Sequence, residues 1–287
     1  GLRRVALGLL PDQLVRPLSL GALVLAFLLI AGRGPEATET MVLAVASTLL
    51  ALAFGQHWLR TCLPEGWRRA ARETRSGEWR RVSFPLLLVA GLRRILQQTD
   101  VLVIGMVLGT TSAGIYFVAV RLAQLVAAGL GAVNSITAPL ISELYSAGDH
   151  RQLQRTITHA AWGASLTSIP ACLVLIFGRD FFLGLFGPEF TAAGASLILL
   201  CLAQIANALT GPVGWLLNMT GHQQVNARIL AWITALNLVL NLPAILLWGI
   251  EGAALVTALL SAANNLWTWA VVRRRLKIDA SVLSSWS

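Results

Sequence analysis

The chain has 287 residues, 56% of them hydrophobic and 12% charged, with a formal net charge of +9. Soluble globular proteins carry about 25% charged residues, so half that share, with a mean hydropathy of +0.71, excludes a disordered or fibrous chain and argues against a soluble enzyme domain. The natural unit is the membrane span of about 20 apolar residues, and eight such spans with short loops use up nearly the whole sequence.

Taken in chain order, the apolar windows run over residues 13–31, 38–60, 83–108, 113–142, 155–177, 191–217, 226–248 and 251–272. Runs of this length satisfy their backbone in a bilayer only as helices, and the ten-residue alternation of a membrane β-barrel is absent. The expected fold class is therefore all-α, a polytopic membrane helix bundle of about eight transmembrane helices. The chain begins at Gly1, with neither an initiator Met nor a signal-peptide pattern, and reads as a fragment of a longer protein.

The basic residues fall on one side of this arrangement. Arg60, Arg68, Arg69, Arg72, Arg75, Arg80 and Arg81 follow the second window, Arg151 and Arg155 precede the fifth, Arg228 opens the seventh, and Arg273, Arg274, Arg275 and Lys277 follow the eighth. The opposite loops hold only Arg33 and Arg179 among several acids. That asymmetry places both ends in the cytoplasm and accounts for the basic charge without nucleic acid. The polar stretch 61–82 contains Trp67, Arg68, Arg72, Arg75 and Trp79. It suits either a helix lying on an anionic leaflet or a plain charged connector.

Pro139, Pro170, Gly211–Pro212 and Pro243 are expected to interrupt the fourth to seventh spans. Two outer turns echo one another: Gly109-Thr-Thr-Ser-Ala-Gly114 opens the fourth span and Gly249-Ile-Glu-Gly-Ala-Ala254 the eighth. Cys62, Cys172 and Cys201 are scattered and read as small apolar residues.

No nucleotide fingerprint, nucleophile elbow or metal-binding His motif is present, so no enzyme activity, cofactor or metal is expected. The chemistry concentrates in the third span. A charge at the bilayer centre costs about 2.5–3.5 kcal/mol on insertion scales, so Arg93, Arg94 and Asp100 must face protein or water. Arg93, Gln97 and Asp100 share one helix face at spacings of four and three. In the fourth span Arg121 lies eight residues after the expected outer start, as Asp100 lies eight before the outer end of the third. Equal depth predicts an intramembrane Asp100–Arg121 pair or a shared hydrogen-bond network. Its reading is either a buried staple or a charged cavity wall, with the remaining arginines free to hold an anion such as phosphate. Amides at Asn134, Gln204, Asn207, Asn218, Asn237, Asn241, Asn264 and Asn265 suit interhelical hydrogen bonds or a wall facing sugar hydroxyls.

From the third span onward the sequence resembles the flippases of polysaccharide biosynthesis, of the O-antigen and teichoic-acid exporter type. These belong to the multidrug/oligosaccharidyl-lipid/polysaccharide exporter superfamily. The resemblance is carried by Asp100-Val-Leu-Val-Ile-Gly105, Ala113-Gly-Ile-Tyr-Phe-Val-Ala-Val-Arg-Leu122, Pro139, Leu185-Phe-Gly187, Asn218-Met-Thr-Gly221, Asn237, Asn241 and Trp248-Gly-Ile-Glu-Gly-Ala-Ala254. It implies two six-helix bundles around a central cavity. Residues 1–63 would be the last two spans of the first bundle, 64–82 a basic cytoplasmic linker, 83–277 the second bundle and 278–287 a tail. It further implies alternating access that turns an undecaprenyl-pyrophosphate-linked oligosaccharide, such as a lipopolysaccharide precursor, from the cytoplasmic to the outer leaflet of the inner (plasma) membrane. The implied partners are that glycan, membrane lipids, a coupled proton or sodium ion, and glycan polymerase machinery. By this analogy Arg93, Arg94 and Arg121 contact the pyrophosphate, Asp100 orients Arg121 or couples an ion, and Gln97, Asn134 and Asn207 complete the cavity wall.

Two alternatives stay open. A cation-coupled multidrug or lipid II exporter of the same superfamily would favour cavity carboxylates over arginines. A membrane enzyme that polymerises or ligates lipid-linked glycans would carry a sizeable catalytic outer loop, whereas the outer loops here are short.

Overall fold

The structure, a computed structural model, describes residues 14–62 and 76–282. Among the described residues every regular element is helical, the all-α fold expected. The chain divides into two compact units, Gly1–Thr74 and Arg75–Ser287.

In the first unit α1 (Arg16–Ala31) packs against α2 (Ala37–Cys62). Gly32 ends α1 in the left-handed region, with φ of 66°, and its N–H donates to the Leu28 carbonyl. Arg33 then closes the turn on Glu39 with two hydrogen bonds of 3.0 and 2.7 Å. Being solvent-screened, that pair fixes the turn more than it holds the unit.

The second unit is built from α3 (Ser76–Val107), α4 (Thr110–Ser146), α5 (His150–Phe177), the short α6 (Arg179–Gly184), a 3-10 turn (Pro188–Ala193), α7 (Gly194–Thr210), α8 (Val213–Met219) and α9 (Gln223–Leu276). Asp149 caps α5, its carboxylate accepting from the Gln152 N–H at 2.9 Å, which satisfies one of the orphan donors of a helix start. α4 packs on α5, α7 sits between α5 and α9, and α3 lies along α9. Alanines 119, 123, 160, 161 and 164 are all buried, and such small residues let membrane helices approach closely.

Five described helices are long and apolar enough to cross a membrane: Thr38–Arg60, Thr110–Ser146, His150–Phe177, Pro188–Thr210 and Gln223–Leu276. The last has 54 residues. At 1.5 Å per residue it is far longer than a hydrocarbon core of about 30 Å. It is two arms that reverse at Gly249, whose φ of 59° and ψ of −141° no helix contains. Gly252 completes the reversal, since a Cβ there would strike the Ala244 carbonyl. The arms match the seventh and eighth expected spans. Gly109, with φ of 89°, performs the corresponding turn between α3 and α4.

Of the four expected interruptions only Gly211–Pro212 breaks its helix, separating α7 from α8. Pro139, Pro170 and Pro243 lie inside continuous helices, as does Pro85 in α3. Neighbouring helices can re-satisfy the carbonyl that each ring leaves free, so only the proline joined to a positive-φ glycine ends its helix. The basic connector read in 61–82 lies largely outside the described residues; α3 begins at Ser76.

Candidate functional site

The second unit forms an open cavity of about 280 Å³ between α3, α4, α7 and the two arms of α9, with Arg93 and Gln97 exposed on its wall. Its wall is polar where four helices meet. α3 contributes Arg93, Gln97 and Asp100, α4 contributes Gln124, α7 contributes Gln204 and Asn207, the first arm of α9 contributes Asn237, and its second arm Thr257, Ser261, Asn264 and Asn265. Arg93, Gln97 and Asp100, Gln204 and Asn207, and Thr257, Ser261 and Asn264 each keep the three-and-four spacing of one helix face. The apolar remainder of the wall includes Ala123, Leu200, Leu230 and Ile233.

Asp100 is the node of this wall, only 4% exposed. Its Oδ2 accepts hydrogen bonds from the Tyr116 hydroxyl at 2.9 Å and the Thr257 hydroxyl at 2.5 Å, and its Oδ1 accepts from the Asn241 amide at 2.5 Å. One carboxylate thus ties α3 to α4 and to both arms of α9. Asn241 and Thr257 each stand eight residues from Gly249, so the hairpin brings them to equal depth, about 12 Å below the turn. The carbonyl oxygens of Asn237, Asn241 and Asn264 are buried without a hydrogen-bond partner among the described residues. Buried polar atoms normally find partners, and these three are acceptors beside or near a carboxylate.

The expected Asp100–Arg121 pair does not form. α4 starts at Thr110, three residues before the expected 113. Across the Gly109 turn, the residue that meets Asp100 is therefore Tyr116, which is fully buried. Arg121 lies more than a turn further along α4, exposed, with its guanidinium 4.6 Å from the Phe117 ring centroid and donating to Gln124 Oε1 at 3.0 Å.

Of the residues singled out from the sequence, Arg93, Gln97, Asp100 and Asn207 share the cavity wall; Arg94, Arg121 and Asn134 are not on it. Arg94 lies about 100° round the helix from Arg93 and is exposed. Asn134 is buried two turns beyond Ala127, the last α4 residue of the wall, with its carbonyl oxygen unpartnered. Arg93 has no acidic partner among the described residues and passes beside Gly214 of α8. The wall therefore carries one arginine and one aspartate, where a cluster of three arginines was expected. Tyr116, Thr257 and Ser261 were not singled out. Thr257, Ser261 and Asn264 repeat at four and three residues, the same signal that marked α3.

Residues 67–193 match the family described as polysaccharide biosynthesis protein. Over 167 residues, 58% of the chain, the sequence is 32% identical to the probable low-salt glycan biosynthesis flippase Agl15 of Haloferax volcanii. Over 163 residues, 56% of the chain, it is 26% identical to the probable flippase AglR of the same organism. The chain covers 35% and 34% of these relatives, about a third of their length. The family match covers α3 to α6 and the 3-10 turn Pro188–Ala193, and so includes Arg93, Asp100 and Tyr116. The chain is thus a multi-pass membrane protein whose sequence resembles the polysaccharide-biosynthesis flippases of the exporter superfamily.

Proposed function

We propose that this chain forms part of a flippase that moves an undecaprenyl-pyrophosphate-linked oligosaccharide from the cytoplasmic to the outer leaflet of the inner (plasma) membrane by alternating access. The observation that carries this reading is the composition of the cavity wall: amides and hydroxyls from four helices, with one guanidinium, that of Arg93, without an acidic partner among the described residues. A guanidinium offers planar, paired donors that match phosphate oxygens. Gln97, Gln204, Asn207, Ser261, Asn264 and Asn265 offer both donors and acceptors, which sugar hydroxyls require. A cavity of about 280 Å³ lies near the small end of ligand pockets, so it receives part of the head group rather than a whole oligosaccharide.

In this reading Asp100 is the coupling group. A carboxylate so deeply buried and without a cation partner among the described residues is costly, even with three neutral donors. Taking up a proton or a sodium ion removes that cost. The uptake and release of that ion would favour different arrangements of the four helical arms that Asp100 joins. The reading makes the chain a transporter rather than an enzyme, with lipid-linked glycan, membrane lipids and glycan polymerase machinery as partners. A multidrug or lipid II exporter is the second reading within the superfamily, favoured by the lone carboxylate at Asp100.

The test reconstitutes the intact protein in vesicles and follows the exposure of a pyrophosphate-linked glycan on the far leaflet with a membrane-impermeant glycosidase. We expect transport by the parent, a large loss in Arg93→Ala, and loss of ion dependence in Asp100→Asn. Transport of a cationic drug in place of the glycan would overturn the reading in favour of the exporter alternative.

A further inference from the structure

One face of α5 stays exposed along the whole helix. Arg151, Arg155 and His159 repeat every four residues and are exposed. Trp162, Leu166, Leu173 and Phe177 continue the same face, also exposed, Leu166 to 74%. At 3.6 residues per turn all seven fall within an arc of about 80°. The other sides of the first turns are occupied. Leu153 and Ile157 are buried in one core cluster with Ile278 and Ala280, and the Ala280 carbonyl lies where a Cβ on Gly211 would strike it. Gln154 holds both backbone groups of Asp279, its Nε2 donating to the carbonyl at 2.6 Å and its Oε1 accepting from the N–H at 3.0 Å. The Asp279 carboxylate accepts from Trp269 Nε1 at 3.0 Å and from the Ser281 N–H and hydroxyl at 3.1 and 2.8 Å. The start of α5 is thus fixed on its inner side, with the basic stripe directed outward.

The face changes character where a membrane boundary falls. Counted back from Phe177, a hydrocarbon core of about 30 Å ends about 20 residues earlier, near residue 157. Arg151 and Arg155 then stand at headgroup level, His159 at the boundary and Trp162 just inside it, close to the depth that tryptophan favours. No charged residue occurs between 160 and 177, so hydrocarbon can cover this strip, whereas it cannot cover the exposed Arg93 and Arg94 of α3. At the basic end a groove opens between Arg151, Gln152, Arg155, Thr156 and His159. Asp149 borders it, but its carboxylate caps the helix on the Gln152 N–H. Arg151, Arg155 and His159 make no hydrogen bond or ion pair with another described residue. Arg273, at the end of α9, is by contrast engaged, its guanidinium 5.4 Å from the Trp269 ring centroid.

We propose that this groove seats the headgroup of an anionic phospholipid from the leaflet on the basic-loop side. The guanidiniums of Arg151 and Arg155 donate to the non-bridging phosphate oxygens, and His159 donates from a ring nitrogen. The acyl chains run down the same face, over Trp162 and Leu166. A zwitterionic lipid brings an ammonium group that two arginines repel; an anionic one does not. The apolar strip that continues the groove favours a lipid over a soluble phosphate. The inference concerns the lipid around the bundle and stands whatever the cavity carries.

The experiment uses the intact protein in membrane vesicles, with its native cysteines changed to Ser or Ala and a bimane fluorophore on Leu166→Cys. The vesicles mix phosphatidylcholine with phosphatidylglycerol, and one lipid or the other carries dibrominated acyl chains, which quench bimane on contact. The ratio of the two quenching responses, per mole of brominated lipid, reads the preference at this face. We expect about tenfold in favour of phosphatidylglycerol, the order that two arginines at a membrane surface supply, and about unity in Arg151→Gln/Arg155→Gln. Arg273→Gln/Arg274→Gln removes the same charge elsewhere and should keep the parental preference. Only forms that brominated phosphatidylcholine alone quenches equally are compared, so differences in folding or insertion do not enter. An unchanged preference in Arg151→Gln/Arg155→Gln overturns the seat. So does an equal fall in both double variants, which would reduce it to general surface charge. Loss of the preference on adding inorganic phosphate at constant ionic strength also overturns it, by assigning the groove to a soluble anion.

Discussion

Asp100 and Asp279 each accept three hydrogen bonds, yet they do opposite work. The donors to Asp100 come from residues 16, 141 and 157 positions away; those to Asp279 come from two and ten positions away. The first carboxylate joins four helical arms in the apolar part of the bundle. The second shapes a local turn, and its neighbour Gln154, rather than the carboxylate, makes the long-range attachment. The difference teaches that the number of hydrogen bonds a carboxylate accepts does not set its role: the sequence distance of its donors decides whether losing it loosens a turn or the bundle.

That contrast can be broken at either end. Asp100→Ala should have the largest effect, because it strands the Tyr116, Asn241 and Thr257 donors together. Interhelical hydrogen bonds in membranes average about 0.6 kcal/mol with a maximum near 1.7, and orphaned buried groups add their desolvation. A loss of about 2–4 kcal/mol, read by thermal unfolding in detergent, is expected. Tyr116→Phe removes one of the three donors and should cost about 1–2 kcal/mol. Gln154→Ala leaves the Asp279 carboxylate and its donors intact but detaches the turn from α5, and should cost about 1 kcal/mol.

The smallest effect is a pH dependence at Asp279. Burial raises its carboxyl, but the hydrogen bonds from Trp269 and Ser281 and the charge of Arg273 outweigh this and hold it below the usual carboxylate range. A depressed folded value means that the stabilisation is complete above the unfolded value of about 3.9 and is lost as pH falls through the folded one. Asp279→Asn should therefore lower the unfolding temperature at neutral pH, and the gap to the parent should shrink in acid below about pH 4. A gap that stays constant with pH would show that the carboxylate's charge has no part in the turn.

Much of the fold was legible because apolar runs in a membrane have few solutions. Within the described residues the eight windows fall on helices, the sixth broken at Gly211–Pro212 and the seventh and eighth joined across Gly249. The stripe of α3 was legible for the same reason that it is costly: Arg93, Gln97 and Asp100 stand out against leucine. The partner of Asp100 was misread because a three-residue error in the start of α4 is nearly one helical turn. With the further one-residue error at the end of α3, which is Val107 rather than 108, it moves the facing position about four residues from Tyr116 towards Arg121. Tyr116 and Thr257 carried no charge to draw attention, and hydroxyls pass unnoticed in an apolar helix. The docking of the segment around Asp279 was illegible for a different reason. Gly211–Pro212 announced a break, but nothing in Ile278-Asp279-Ala280 says that it fills one; that pairing exists only in three dimensions.

The central claim is that the stripe of α3 faces a substrate cavity, and two adjacent arginines test it most directly. Arg93 lines the cavity and Arg94 does not, although both have the same chemistry and nearly the same depth. The account predicts that Arg93→Ala abolishes glycan transfer across vesicles while Arg94→Ala leaves it near the parental rate, at equal amounts of folded protein. Equal loss in both variants, or loss in Arg94→Ala alone, would contradict it.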